Sequence, residues 1–170
     1  MKLSTELQLI LDQLLEGAND FLGRGEQVQP AVFCFKLSNE GVSAADYFSA
    51  DPFLESDAKK ELLMTFMNNL LKKDAADIVV LVTEAWIVKL AAKDFSAKDV
   101  AKVRASQHPD KQEIVLFSVL TRTQQFLGEA RIERRENGSG VAAHLELMPI
   151  EGGEGTLVRD RQEAVPTRLH

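Results

Sequence analysis

Cysteine, histidine, tryptophan and proline are all scarce in this chain, and long apolar runs are absent. Its 170 residues include one cysteine, three histidines, one tryptophan and five prolines. Cys34 alone cannot form an internal disulfide or a multi-cysteine zinc site, which excludes a fold held by either kind of crosslink. No segment approaches the ~20 consecutive apolar residues that a membrane-spanning helix requires.

Basic residues are also outnumbered, with 20 Lys and Arg against 26 Asp and Glu and a formal net charge of -6. This balance argues against a general nucleic-acid or anionic-membrane surface, although it permits a local basic patch. One small basic cluster is present, formed by Arg131, Arg134 and Arg135. It lacks exposed aromatic residues spaced to stack on bases, so nucleic acid is not an expected partner. The 45% hydrophobic and 27% charged residues are typical of a soluble globular protein.

Residues 1–17 are predicted to form an amphipathic helix. Thr5 and Gln8 have the spacing of a capping box, and Gly17 is expected to end the helix. Polar residues interrupt the apolar stripe, unlike a secretory signal, so we expect a cytoplasmic protein. Two interpretations of the stripe stay open: it packs on the chain's own sheet, or it forms the seam of a homodimer. The stripe consists of Leu3, Leu7, Ile10, Leu11, Leu14 and Leu15.

The rest of the chain predicts an α+β fold: an N-terminal helix, one or two strands, a packed helix, a long central strand and an antiparallel three-strand meander. We expect one domain over residues 1–150 and a loosely ordered tail over 151–170, with an edge strand at Thr156–Arg159. A polar connector over 91–111, helical from Ser96 to Arg104, precedes the meander. The predicted strands are 29–37, 42–48, 77–90, 113–122, 125–135 and 141–148, with a turn at 38–41, and the second helix is 56–73, capped by Ser56.

Turn signals predict the register of the meander. A two-residue type I′ turn at 137–138 (Asn-Gly) pairs Ile132 with Ala143 and Glu129 with Glu146. A turn at 123–124 then gives the first two strands a common apolar face, on which Val115 meets Ile132, Phe117 meets Ala130 and Val119 meets Gly128. The helix at 56–73 is the expected cover of this face.

The second face of the meander holds the main candidate binding residues. Glu129 is expected to lie opposite Glu146, with Ser118, Arg131 and His144 adjacent. Three interpretations remain open: a partly solvated face where arginines balance the carboxylates, a metal site built from Glu129, His144 and Glu146, or a coupled carboxylate pair for acid–base chemistry. Leucines and a methionine around these residues suit a partner surface or a small-molecule site.

Glu84 is the exception to the apolar pattern of the predicted central strand, and it shares a face with Val80, Val82 and Trp86. A buried glutamate near an indole can have a raised pKa and act as an acid. Alternatively, Glu84 holds the connector through its backbone or through Lys111. His108 beside Asp110 is either a base with an orienting carboxylate or part of a surface loop.

The segment 83–86 (Thr-Glu-Ala-Trp), followed by 106–113 (Ser-Gln-His-Pro-Asp-Lys-Gln-Glu) and an apolar strand, resembles a group of small uncharacterised bacterial proteins. The resemblance covers about residues 77–122, and since no activity is attached to that group, it implies no chemistry. It does imply that Glu84, Trp86, Pro109 and Asp110 lie together, with the loop closing over the Glu84 end of the central strand.

Three functions therefore stay open. The first is a non-enzymatic protein that acts through protein contacts or as a homodimer, because no phosphate loop, His-Glu-x-x-His pattern or serine elbow is present and no cofactor is expected. The second is a small-molecule or metal-binding domain that uses Glu129, His144 and Glu146. The third is a small hydrolase-like enzyme centred on Glu84, Trp86, His108 and Asp110.

Overall fold

The computed structural model describes residues 4–90, 110–150 and 167–168, which contain two α-helices and eight strands. The mixed α+β class is confirmed, and the strands are more numerous than predicted. The helices are α1 (Thr5–Gly23) and α2 (Asp57–Lys72), and a 3-10 turn covers Asp51–Phe53. The strands are β1 (Ala31–Ser38), β2 (Gly41–Ser49), β3 (Ile78–Ile87), β4 (Lys89–Leu90), β5 (Gln112–Thr121), β6 (Gln125–Arg134), β7 (Gly140–Ile150) and β8 (Thr167–Arg168).

Six of the strands form one sheet in the order β2-β1-β3-β5-β6-β7, and every neighbouring pair is antiparallel. β3 is buried on both faces over residues 78–83, as its uninterrupted apolar sequence predicts. A sheet whose central strands are apolar on both sides needs a cover on each side. The two helices supply these covers, one on each face.

Helix α1 covers one face of the sheet. Leu7, Ile10 and Leu11 are buried in the same cluster as Val115 and Phe117. The leucine stripe therefore packs on the chain's own sheet, and these side chains leave no seam for a second copy; Leu3 lies outside the described residues. The prediction that the helix at 56–73 covers this face of the meander is wrong, because α1 occupies it.

Both ends of α1 differ from the prediction. Ser4, rather than Thr5, is the N-cap, and its side chain accepts a hydrogen bond from the Leu7 N–H. The helix continues through Gly17, since the apolar period resumes at Ala18. It ends where Gly25 adopts a φ of 73°, a left-handed conformation that glycine takes without steric cost.

Helix α2 covers the other face. Ser56 is its N-cap, as predicted, and accepts a hydrogen bond from the Lys59 N–H. The buried side of the helix, which includes Leu63 and Met67, packs against the β5 residue Leu116. Part of the face that the sequence left open for a ligand or partner is therefore occupied by α2.

The β6–β7 hairpin has a three-residue loop over 136–138 instead of the predicted two-residue turn. The Gly138 N–H donates to the Arg135 carbonyl at 3.0 Å, and the Arg135 N–H donates to the Ser139 carbonyl at 2.7 Å. Gly138 adopts a φ of 84°, so the loop is a type I turn closed by a left-handed glycine. Near the loop the register is one residue away from the prediction, and Ile132 pairs with Ala142 instead of Ala143.

A β-bulge in β7 then restores the predicted register. The pairing shifts between Glu129 and Arg131, and beyond the shift Glu129 lies opposite Glu146, as predicted. Arg131 pairs with Ala143, so its predicted pairing with His144 is wrong. The extra residue in the loop shifts the β6–β7 register by one, and the extra residue in the bulge shifts it back.

The β5–β6 turn lies one residue earlier than predicted. The Thr121 N–H donates to the Gln124 carbonyl at 2.9 Å, so the turn is centred on 122–123. Moving a turn by one residue shifts the register by two, which keeps each side chain on its face but changes its neighbour. Phe117 therefore pairs with Gly128, and Val119 with Phe126.

Both edges of the sheet carry features that hinder the addition of another strand. On β7, Pro149 lacks an N–H, and Asn19 of α1 bonds the backbone of Ala142. On β2, the register shift leaves Ala45 without a partner, and the Asp46 carboxylate accepts the Tyr47 N–H at 2.8 Å.

Two short strands lie outside the main sheet. Lys89–Leu90 pairs in parallel with Thr167–Arg168. The predicted helix at 96–104 and the predicted strand at Thr156–Arg159 lie outside the described residues. Of the helices in the described ranges, none is long and apolar enough to cross a membrane.

Candidate functional site

Glu84 lies on the α1 side of the central strand, with 14% of its side chain exposed. Its Oε1 atom accepts a hydrogen bond from the backbone N–H of Val28 at 2.9 Å, and the guanidinium of Arg134 is 3.5 Å away. Burial raises the pKa of Glu84, while the Val28 N–H and Arg134 act in the opposite direction. The charge of Glu113 adds to the increase.

Arg134 connects this carboxylate to the hairpin of β6 and β7. Its Nε and Nη2 atoms bond the two oxygens of Glu113 at 3.0 and 2.5 Å, and Nη1 contacts the Gly138 carbonyl at 3.4 Å. Glu84 therefore holds the segment between α1 and β1 to the sheet, with Arg134 as the balancing cation. Of the described residues, Val28 and Arg134 contact the Glu84 carboxylate, whereas the Lys111 ammonium lies over the Trp86 ring. The rest of the connector that Glu84 was predicted to hold lies outside the described residues.

The remaining residues of the predicted acid–base set are only partly brought together. Glu84, Trp86 and Glu113 line a cleft of about 270 Å³, and Asp110 is not among its described lining residues. The Lys111 ammonium lies 4.5 Å from the centre of the Trp86 ring, in a cation–π contact. His108 lies outside the described residues, so its proposed pairing with Asp110 stays a prediction.

A second cleft, of about 450 Å³, lies on the part of the α2-side face that α2 leaves uncovered. We call it the meander cleft; its lining includes Glu129, Arg131, His144 and Glu146. Four of the five predicted ligand-binding residues are therefore together. Ser118 is not with them, because the two-residue register shift places it opposite Leu127, fully buried.

His144 has an unusual backbone in this cleft, with a φ of 57°. Left-handed backbone is costly for a residue with a Cβ, and here it accompanies the bulge in β7. Three carboxylates (Glu129, Glu133 and Glu146), one guanidinium and one imidazole line this cleft, and together they can bind a polar group of either charge. Among the residues that the structure describes, no three His, Cys, Asp or Glu side chains form a group that could hold a metal ion, and the metal site at Glu129, His144 and Glu146 stays a prediction.

The sequence did not reveal a third surface, which we call the α2 ridge: Phe48, Phe53, Leu62 and Phe66. Leu62 is 58% exposed and Phe66 44% exposed on the outer side of α2. The Phe48 ring centre lies 5.4 Å from that of Phe66 and 6.3 Å from that of Phe53, both in edge-to-face geometry. The sequence carries one signal for it, because Leu62 and Phe66 widen the apolar face of α2 beyond the side chains that are buried, such as Leu63 and Met67.

The chain matches no protein-family model, no curated protein and no solved structure. Its function therefore has to be inferred from the geometry of these surfaces.

Proposed function

We propose that this protein is a non-enzymatic binding protein that acts through protein–protein contacts made by the α2 ridge. The observation that carries the proposal is the exposure of Leu62 and Phe66 beside Phe48. Burying a fully exposed Leu or Phe side chain contributes about 1.5–3 kcal/mol. Because Leu62 and Phe66 are already half buried, roughly half of this is available from each. Single exposed apolar residues are ordinary, but a group of aromatic and aliphatic side chains gathered from a strand, a turn and a helix is typical of a contact surface.

The chemistry of the other surfaces supports a binding role over catalysis. Glu84 has a raised pKa, as a general acid would need, but its described contacts are structural: the Val28 N–H and Arg134. A catalytic acid must also place its own proton within hydrogen-bond reach of the substrate atom that accepts it. Glu84 instead joins the α1–β1 segment to the sheet.

The meander cleft supports a second candidate function, the binding of a small polar ligand. The favouring observation is the strained backbone of His144 beside the buried Glu129, because strain in a folded protein is concentrated at functional sites. Thermal unfolding with a panel of amines, amino acids and small carboxylates tests this candidate. A ligand that stabilises the wild type but not a Glu146→Gln variant supports it, and an unchanged midpoint across the panel contradicts it.

A photo-crosslinking amino acid at position 66 tests the main proposal. Phe66 is replaced by a benzophenone-bearing phenylalanine, and Leu9 on α1, which is 53% exposed, receives the same group as a matched control. The experiment is done both with the pure protein and in the producing cell. We expect position 66 to crosslink to a polypeptide in at least one of these settings and position 9 to crosslink in neither. Equal crosslinking from both positions, or none from position 66, contradicts the proposal.

A further inference from the structure

We infer that Asn137 is a site of spontaneous deamidation, and that the folded β6–β7 loop directs the product to aspartate rather than isoaspartate. Asn137 is exposed in this loop and is followed by Gly138. Deamidation begins when the backbone nitrogen of the next residue attacks the asparagine side chain, and a side chain on that next residue obstructs the attack. Gly138 has none, and in the described part of the chain no atom outside residues 137–139 lies within 4 Å of where its Cβ would be. This chemistry is independent of the α2 ridge.

The reaction is intramolecular, because the nucleophile and the amide belong to neighbouring residues. The Gly138 nitrogen loses its proton and bonds to Asn137 Cγ, the bond from Cγ to Nδ2 breaks, and ammonia leaves with a proton. A five-membered succinimide ring remains. Water then opens the ring. Cleavage between the Gly138 nitrogen and Cγ gives aspartate in a normal backbone, whereas cleavage between this nitrogen and the backbone carbonyl carbon of residue 137 gives isoaspartate.

Two hydrogen bonds to the Asn137 side chain favour attack at Cγ. Asn137 Oδ1 accepts from the Ser139 N–H at 3.0 Å and from the Ser139 hydroxyl at 2.6 Å. Negative charge develops on Oδ1 when the Gly138 nitrogen adds to Cγ, and donors that are already in place stabilise this charge. Arg134 adds positive charge nearby, since its Nη1 atom contacts the Gly138 carbonyl at 3.4 Å.

One hydrogen bond opposes the first step. The Gly138 N–H donates to the Arg135 carbonyl at 3.0 Å, so the nitrogen reacts only when this bond is broken. The opening is local, because all three loop residues, 136–138, are exposed. The reaction therefore requires one turn to open while β6 and β7 stay paired.

The closure of the loop favours aspartate as the product. The Arg135 N–H donates to the Ser139 carbonyl at 2.7 Å, and three residues span this pair. Isoaspartate adds one carbon atom to the backbone between these two anchors, so the anchors no longer match. Aspartate leaves the backbone unchanged, and its carboxylate accepts the same two hydrogen bonds from Ser139. The Ser139 donors also polarise Cγ in the succinimide ring, which directs water to that carbon.

Ageing of the pure protein, followed by peptide mass spectrometry, tests the inference. Trypsin releases residues 136–159, in which Asn137 is the one asparagine, and residues 37–59, in which Asn39 is the one asparagine. Asn39 is exposed in the β1–β2 turn but precedes Glu40, so it is the matched control. We expect Asn137 to deamidate well before Asn39, and faster as pH rises, because the Gly138 nitrogen must lose its proton.

The variant Ser139→Ala separates the effect of the hydroxyl from that of the Asn-Gly sequence. In the folded protein it should slow deamidation about fivefold, as expected from the loss of one hydrogen bond to the developing charge. It should also raise the share of isoaspartate, which an isoaspartyl methyltransferase measures. In concentrated urea, where the loop is unfolded, the variant and the wild type should react alike.

Three outcomes overturn the inference. An Asn137 amide that survives as long as that of Asn39 excludes the site. A folded wild type whose main product is isoaspartate excludes the direction of ring opening. A Ser139→Ala variant that keeps both the rate and the product ratio of the wild type excludes the role of the Ser139 hydroxyl.

Discussion

Asn19 and Ala142 are joined by two hydrogen bonds between a side-chain amide and a strand backbone. The Asn19 Nδ2 group donates to the Ala142 carbonyl at 2.9 Å, and the Ala142 N–H donates to Asn19 Oδ1 at 2.7 Å. The amide thus satisfies both backbone groups of a residue on the edge strand, as a neighbouring strand would. It fixes α1 to the edge of the sheet and protects that edge.

The replacement Asn19→Ala should destabilise the protein by about 1–3 kcal/mol, because it leaves both backbone groups of a buried residue without their partner. Urea unfolding measures the change, with Gln13→Ala at an exposed position of α1 as the control. Equal stability of the two variants would show that the amide contributes nothing.

The contribution of Glu84 to stability should depend on pH in a definite direction. Because burial raises its folded pKa, the folded protein binds the Glu84 proton more tightly than the unfolded chain does. Stability from this group therefore increases as pH falls from the raised folded pKa towards the unfolded value. In urea titrations the wild type should gain stability relative to Glu84→Gln as pH decreases over that range. An opposite slope would mean that Arg134 and the Val28 N–H outweigh burial.

Ser118 should be replaceable with a gain in stability. Its hydroxyl is fully buried and has no hydrogen-bond partner in the described part of the chain. Ser118→Ala should stabilise the protein by about 1 kcal/mol by removing an unsatisfied polar group. Ser139→Ala is the matched control and should destabilise it, because Ser139 Oγ bonds Asn137 at 2.6 Å. The midpoint of thermal unfolding of each variant measures the change in stability. A lower midpoint in both variants contradicts the prediction.

Backbone strain at His144 predicts a difference between two small replacements. At a φ of 57° a Cβ atom costs about 1–2 kcal/mol, and glycine avoids this cost. His144→Gly should therefore be more stable than His144→Ala by about 1 kcal/mol, as measured by chemical denaturation. If alanine is the more stable replacement, the left-handed conformation at this position carries no strain.

The sequence predicts the elements more accurately than their assembly. Periodicity locates α2, β3 and the meander strands within a few residues, because apolar spacing reflects local backbone geometry. It does not assign a helix to a face, since β3 is apolar on both sides and two helices are available. The sequence therefore predicts α2 as the cover of the Phe117 face, whereas α1 covers it.

The candidate site was predicted in part for similar reasons. Glu129 and Glu146 are opposed as expected only because a longer loop and a bulge compensate each other, and neither has a unique sequence signal. Glu84 breaks the apolar pattern of its strand, but its partners Val28 and Arg134 are 56 and 50 residues away in the sequence. Contacts at such distances follow from the strand order, which local patterns do not give.

The sheet divides the interior into two apolar clusters that share no buried residue: Val80 belongs to the α1 side and Leu81 to the α2 side. Substitutions on opposite sides are therefore expected to contribute additively to stability. Side chains around the α2 ridge can thus change to fit a partner without disturbing the packing of the cluster on the α1 side. The two sides of one backbone can evolve at different rates, with the sheet as the partition between them.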